Sequence, residues 1–216
     1  MNAVFLDLDG TLTDLKTGIT RCIQHALDGL GAPVPETEDL LWCIGPPLLP
    51  SFERLLGDDA RAREALALYR ERFSETGLYE NELYDDIPDL LRALREAGMR
   101  LFVATSKPHV YAERIVRHFG LDGYFETVFG SELDGTRVHK TDLLAHALEV
   151  AGVAPKDCVM IGDREHDMIG ARNNGIFGIG VLYGYGTREE LLTAGARRLV
   201  STPAELQSLA QDAFSL

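Results

Sequence analysis

Cysteine is scarce in this chain. Cys22, Cys43 and Cys158 are odd in number and show no Cys-x-x-Cys spacing. That argues against a disulfide framework or a thiolate zinc site and predicts three buried thiols in a reducing compartment. Long apolar runs are missing too. No stretch approaches the roughly 18 residues that a membrane span needs. The opening Met-Asn-Ala-Val-Phe-Leu-Asp meets an acidic residue too early for the apolar region of a signal peptide. The expectation is a cytoplasmic protein with no membrane partner. Positive charge is in deficit: 21 Lys and Arg stand against 34 Asp and Glu, a formal net charge of −13. Such a chain repels a polyphosphate, which argues against nucleic-acid polymers as partners. A small anion remains compatible, because a metal or one local cation reverses the field inside a cleft. The sequence shows neither internal repeats nor low-complexity runs.

What is present is an ordinary globular mixture, 216 residues with 45% hydrophobic and 25% charged content. That length suits one domain with an insert, or two small ones. Ala3-Val4-Phe5-Leu6, Leu101 to Ala104, Val159 to Ile161 and Ile176 to Val181 read as short apolar strands buried on both faces. Amphipathic helices lie between them. Ile87, Leu90, Leu91 and Leu94 recur at helical spacing, with Arg92, Arg95 and Glu96 on the other side. Thr202-Pro203-Ala204-Glu205 has the make-up of a capping box. The alternation predicts an α/β fold, a doubly wound, Rossmann-like parallel sheet. From about Lys16 to Glu82 only helical patterns occur: Gly18 to Leu30, Pro47 to Leu56 and Asp59 to Ser74. We therefore expect a core domain of residues 1–15 and 83–216, with an inserted all-α cap over residues 16–82. Trp42, Tyr69, Phe73 and Met99 are expected in the core.

Four groups of residues point to chemistry. Asp7-Leu8-Asp9-Gly10-Thr11 follows the first strand directly, and ligands of open α/β sheets sit beyond the carboxyl ends of the strands. Asp7 and Asp9, two apart in extended chain, point to one side, and Gly10 permits a sharp exit. Two such carboxylates stay ionised together only with a cation between them, unless one is protonated. Thr105-Ser106-Lys107 closes the second clear strand and offers hydroxyls and backbone N–H groups at the same edge. Lys140 opens a helix from Lys140 to Ala151, against the dipole, as a lysine recruited to an anion would. Asp163 and Asp167 follow the strand Val159 to Ile161, and hard oxygen ligands at that spacing suit Mg²⁺. The six histidines show no metal-like spacing, although His139 and His166 flank these residues.

In this order, the four groups resemble the haloacid dehalogenase-like superfamily of phosphotransferases over the whole chain. The resemblance implies Asp7 as nucleophile and Asp9 as general acid and base. It implies Thr105 and Lys140 on the phosphate, and Mg²⁺ on Asp7, the carbonyl of Asp9 and Asp163, with Asp167 nearby. Gly10 and Ser106 would help to bind phosphate, and Arg21 and Arg54 in the cap are candidates for contacting the leaving group. The position of the insert, Gly45-Pro46-Pro47-Leu48 and Gly184-Tyr185-Gly186 all look like the phosphoglycolate phosphatase-like branch and its nucleotidase-like relatives. Thr141-Asp142 after the lysine, where many relatives carry Pro, and the charged filling Arg164-Glu165-His166 depart from the usual pattern.

The expected activity is Mg²⁺-dependent hydrolysis of a small phosphorylated metabolite by a monomer or homodimer. Phosphoglycolate leads, and nucleoside 5′-monophosphates are the alternative. A phosphomutase would share the nucleophile. A dehalogenase would need neither Asp9 nor Asp163, and a receiver-type domain has no use for a 65-residue insert. A non-catalytic phosphate-binding module is disfavoured, since every catalytic position holds a competent residue.

Overall fold

A computed structural model describes residues 2–211. The chain forms two compact units, one of residues up to Thr13 and from Leu83 onward, the other Asp14–Glu82. In order the elements are β1 (Ala3–Leu6), β2 (Thr13–Asp14), α1 (Lys16–Gly29), α2 (Leu48–Leu56), α3 (Asp59–Glu75), β3 (Glu82–Leu83), α4 (Ile87–Glu96) and β4 (Arg100–Pro108). They continue as α5 (His109–His118), β5 (Thr127–Ser131), α6 (Lys140–Ala151), β6 (Cys158–Gly162), α7 (Glu165–Asn173), β7 (Phe177–Val181), α8 (Arg188–Ala194), β8 (Arg198–Val200) and α9 (Pro203–Gln211).

The first unit is built on a six-stranded parallel sheet of order β5-β4-β1-β6-β7-β8. Strand order runs outward from β1 in both directions, so the reversal falls where β4 and β6 flank β1. In open α/β sheets that is where ligands bind. Alternate residues of the central strands pack on opposite faces. Ala3, Phe5, Phe102, Ala104, Phe129, Cys158 and Met160 join Leu143, Leu144 and Ala147 of α6 in one buried cluster. Within it Phe5 and Phe102 stack at 5.1 Å between ring centroids. The intervening Val4, Leu6, Leu101, Val103, Val159 and Ile161 are fully buried as well, as a sheet covered on both faces requires. All three cysteines are free and buried. Among the described residues no helix is long and apolar enough to cross a membrane.

Strands β4 and β6 extend beyond their apolar runs. Strand β4 continues through Thr105, Ser106 and Lys107 to Pro108, since its pairing with β5 resumes at Pro108–Ser131 after an irregularity. Thr105, Ser106 and Lys107 are therefore part of the strand itself. Strands β5 and β8 carry no continuous apolar run and escaped the sequence reading. Helix α6 begins and ends where the sequence placed it. At α9 the cap differs from a simple box. Glu205 N donates to Thr202 Oγ1 at 3.2 Å, while the Glu205 carboxylate accepts from Ser201 N at 2.8 Å, one residue earlier.

The second unit holds α1, α2 and α3 with two short 3-10 turns, Thr37–Cys43 and Gly77–Tyr79. Ile19, Cys22, Ile23, Ala26 and Leu27 of α1 are buried, as are Ala62, Ala65, Tyr69 and Phe73 of α3 and Phe52 of α2. Asp58 caps α3 by accepting from Arg61 N at 2.8 Å. Tyr69 and Phe73 stack at 5.2 Å. Trp42, expected in the core, is only half-buried and lies beneath the Arg54 guanidinium at 4.2 Å. Its indole face makes a cation–π contact there.

Candidate active site

Three strand ends meet at the topological reversal. Beyond β1 the ladder runs on for one bond, Asp7 N donating to Ile161 O at 2.9 Å, and then the chain winds tightly. The Leu8 carbonyl accepts from Leu12 N at 2.9 Å and Thr13 N at 3.0 Å. Gly10 turns with φ +82°, and a Cβ there would stand 2.3 Å from Asp163 Oδ2. On the other side of Asp163, a Cβ at Gly184 would come within 2.4 Å of the Asp163 Cβ. Both positions must be glycine for the two loops to close around this carboxylate.

Two lysines divide the acids between them. Lys140, at the start of α6, donates to Ala104 O at 2.7 Å. Its ammonium also lies 3.0 Å from Asp7 Oδ1 and 2.7 Å from Asp167 Oδ1. Those two contacts are close ion pairs without good hydrogen-bond alignment, and both oxygens are buried. Lys107 Nζ lies 2.8 Å from Asp9 Oδ2. Asp163 Oδ2 accepts from Tyr185 N at 2.8 Å, and Asp167 Oδ2 from Arg164 N at 3.1 Å. Thr105 is buried and its Oγ1 accepts from Lys107 N at 3.3 Å; the carbonyl of Ser106 accepts from Ser131 Oγ at 2.8 Å.

Burial raises the carboxyl pKa values of Asp9, Asp163 and Asp167 above the ordinary carboxylate range. At Asp9 the Lys107 ammonium opposes the rise. At Asp163 the shift is large, because Asp167 and Asp7 add repulsion that the Tyr185 N–H does not offset. At Asp167 the Asp7 charge adds to burial and Lys140 opposes it. Burial alone would lower Lys140, but Asp167 and Asp7 outweigh it and hold the ammonium above its usual value. Lys140 therefore remains a cation.

The donor set suits a hard divalent cation. Asp7, Asp163 and Asp167 each offer a carboxylate oxygen, all within 4.8 Å of one another. Asp163 Oδ1 and Asp9 Oδ1 are buried without a hydrogen bond. Four buried carboxylates face two ammonium groups. With all of them ionised, that leaves a formal excess of two negative charges, the amount Mg²⁺ carries.

Asp7, Asp9, Gly10, Thr105, Ser106, Lys140, Asp163 and Asp167 thus all lie at the carboxyl ends of β1, β4 and β6 or on the helix beside them. Asp9 turns its carboxylate to Lys107, outside the Asp7–Asp163–Asp167 group. Arg21 and Arg54 belong to the helical unit, where Arg21 pairs with Glu80 at 2.8 Å and Arg54 covers Trp42. Two residues escaped the sequence reading. Lys107 closes the Thr105-Ser106-Lys107 group, and its spacing gives no sign of the pairing with Asp9. Tyr183 donates its hydroxyl to Thr11 O at 3.0 Å and meets Tyr84 edge-on at 5.1 Å. An apolar strand followed by glycine and tyrosine gives no sign of that bond.

The family model for haloacid dehalogenase-like hydrolases matches residues 4–181, and the chain belongs to that family. It is 54% identical over 189 residues to a 5′-nucleotidase of Pseudomonas aeruginosa, covering 87% of this chain and 86% of that protein. It is 43% identical to the tyrosine-protein kinase PtkA of Mycobacterium tuberculosis, over 95% of this chain and 70% of that protein. A phosphoglycolate phosphatase of Colwellia psychrerythraea is more distant, 27% identical over 94% of both. Among solved structures, a predicted phosphatase from Clostridium acetobutylicum superimposes with a TM-score of 0.94 at 41% identity, covering 100% of this chain and 99% of that one.

Proposed function

We propose that the protein is a Mg²⁺-dependent phosphomonoesterase acting on nucleoside 5′-monophosphates, with Asp7 as nucleophile. The observation that carries the reading is the buried acidic cluster, with its nucleophile candidate held by a lysine 3.0 Å away and its formal charge short by two positives. The 54% identity to a 5′-nucleotidase supports nucleotides over phosphoglycolate as substrate, the reverse of the order expected from sequence motifs.

Asp7, Asp163 and the carbonyl of Asp9 would hold the metal, with Asp167 beside them. Mg²⁺, when bound, neutralises charge on the transferring phosphoryl oxygens. Lys140 adds a second, permanent positive charge next to Asp7 and lowers the repulsion between carboxylate and phosphate dianion. Thr105 and Ser106 supply hydroxyls at the same strand end. An Asp7 oxygen attacks phosphorus, and the P–O bond to the nucleoside breaks as Asp9 protonates the leaving oxygen. Asp9 then takes a proton from the water that attacks the aspartyl-phosphate, which returns Asp7 as a carboxylate. Splitting the transfer this way replaces one hard step by two easier ones.

The test is phosphate release from nucleoside monophosphates, phosphoglycolate, sugar phosphates and pyrophosphate, with and without Mg²⁺. A preference for a nucleotide of about a hundredfold is expected, lost by roughly 10⁴-fold in Asp7→Asn with the fold intact by circular dichroism. Activity retained in Asp7→Asn would sink the mechanism. The 43% identity to a tyrosine kinase favours one second reading, transfer from ATP to a tyrosine hydroxyl. Phosphorylation of a tyrosine peptide by ATP without phosphate release from any monoester would establish it instead.

A further inference from the structure

The two oxygens of the Asp9 carboxylate have different surroundings. Oδ2 is 2.8 Å from Lys107 Nζ, with the side chains 9% and 7% exposed. Oδ1 is buried and receives no hydrogen bond. A carboxylate on a loop otherwise turns freely about its last bond, because sp³–sp² torsions are broad. Here an ammonium on a sheet strand grips one end. Its backbone N–H is tied to Thr105 Oγ1 at 3.3 Å, so one short stretch of β4 carries both the hydroxyl and the grip. Lys140 is committed elsewhere, to Ala104 O, Asp7 and Asp167.

We propose that Lys107 is the positioning residue for Asp9. By holding Oδ2 it leaves Oδ1 as the oxygen that gives the proton to the leaving group and takes it back from water. The inference rests on the phosphomonoesterase reading above. In the first step the Asp7 oxygen–phosphorus bond forms while the phosphorus–leaving-oxygen bond breaks. The electron pair of the broken bond stays on the leaving oxygen, which accepts the proton from Asp9 Oδ1. In the second step the water oxygen bonds to phosphorus and the Asp7–phosphorus bond breaks. Its pair returns to Asp7, and the water proton goes to Asp9 Oδ1. Lys107 keeps its own protons throughout.

The experiment compares single-turnover release of nucleoside from a nucleoside 5′-monophosphate with release of p-nitrophenol from p-nitrophenyl phosphate, in wild type, Lys107→Met and Lys107→Arg. The nucleoside alkoxide is a poor leaving group that needs the proton, whereas p-nitrophenolate departs without it. General acid help is worth roughly 10²–10⁴-fold. Lys107→Met should therefore slow nucleoside release at least about tenfold more than p-nitrophenol release, and Lys107→Arg, which keeps the cation, should restore the wild-type ratio. That ratio does not depend on how much of each variant folds. Equal losses on both substrates would mean that Lys107 only supports the loop and would overturn the proposal, as would Lys107→Arg behaving like Lys107→Met. Wild type releasing neither product would defeat the phosphatase reading itself, an outcome visible before any variant is compared.

Discussion

In the helical unit, Glu80 is met by two guanidinium groups. Arg72 binds it twice, at 2.8 and 3.2 Å, and Arg21 once, at 2.8 Å. At the sheet edge of the other unit, four carboxylates share two ammonium groups. The consequence is visible in the pKa directions. Arg72 holds the Glu80 carboxyl below its ordinary range, whereas burial pushes Asp163 well above it. One cluster is closed and contributes to folding. The other crowds buried carboxylates together with too few cations to pair them, which opposes folding. An acid surrounded by bases and an acid crowded by other acids therefore act on stability in opposite directions, although both units contain charge in plenty.

Three experiments would sharpen or break that contrast. The largest effect should come from the apolar platform beneath the acidic cluster. Phe5→Ala removes a fully buried ring stacked on Phe102 and should cost about 3–5 kcal/mol in urea unfolding. A cost below about 1 kcal/mol would mean that the platform is not what holds β1 in place.

Asp163→Asn tests the opposing charge. It removes a fully buried carboxylate that burial, Asp167 and Asp7 disfavour, so metal-free stability in urea unfolding should rise above that of wild type. Mg²⁺ should raise the melting temperature of wild type and leave that of the variant unmoved. A variant less stable than wild type without metal would end the distinction between the two clusters.

The smallest effect is expected at Glu80. Its pKa is depressed in the folded protein, so its contribution is complete above the unfolded value, near 4.3, and is lost as pH falls through the folded value. Glu80→Gln should cost about 1 kcal/mol at pH 7, and the two proteins should converge as pH drops below about 4. A difference unchanged across that range would place the stabilisation in packing instead of charge.

Much of the fold was legible because local sequence and tertiary environment agree. Ala3–Leu6 and Lys140–Ala151 lie where their patterns put them. The first is an apolar run ended by an acid, the second an apolar helical stripe ended by glycine. Thr127–Ser131 was not legible. Its Thr, Gly and Ser break the apolar run, and only pairing beside β4 makes it a strand. The same pairing draws Thr105 to Pro108 into the sheet after the apolar residues stop. At the candidate site the acids announce themselves by spacing, two apart after β1 and four apart after β6. Lys107 announces nothing, because a lysine after a strand usually faces water.

The sequence alone therefore determined the apolar strands, the amphipathic helices and which residues carry charge to the strand ends, since periodicity and spacing are local properties of a chain. Tertiary structure decided the partnerships: Lys107 with Asp9, Lys140 between Asp7 and Asp167, and Asp163 enclosed by glycines from two distant loops. Each joins residues far apart in the chain, and the burial that sets their charge exists only once the sheet has brought them together.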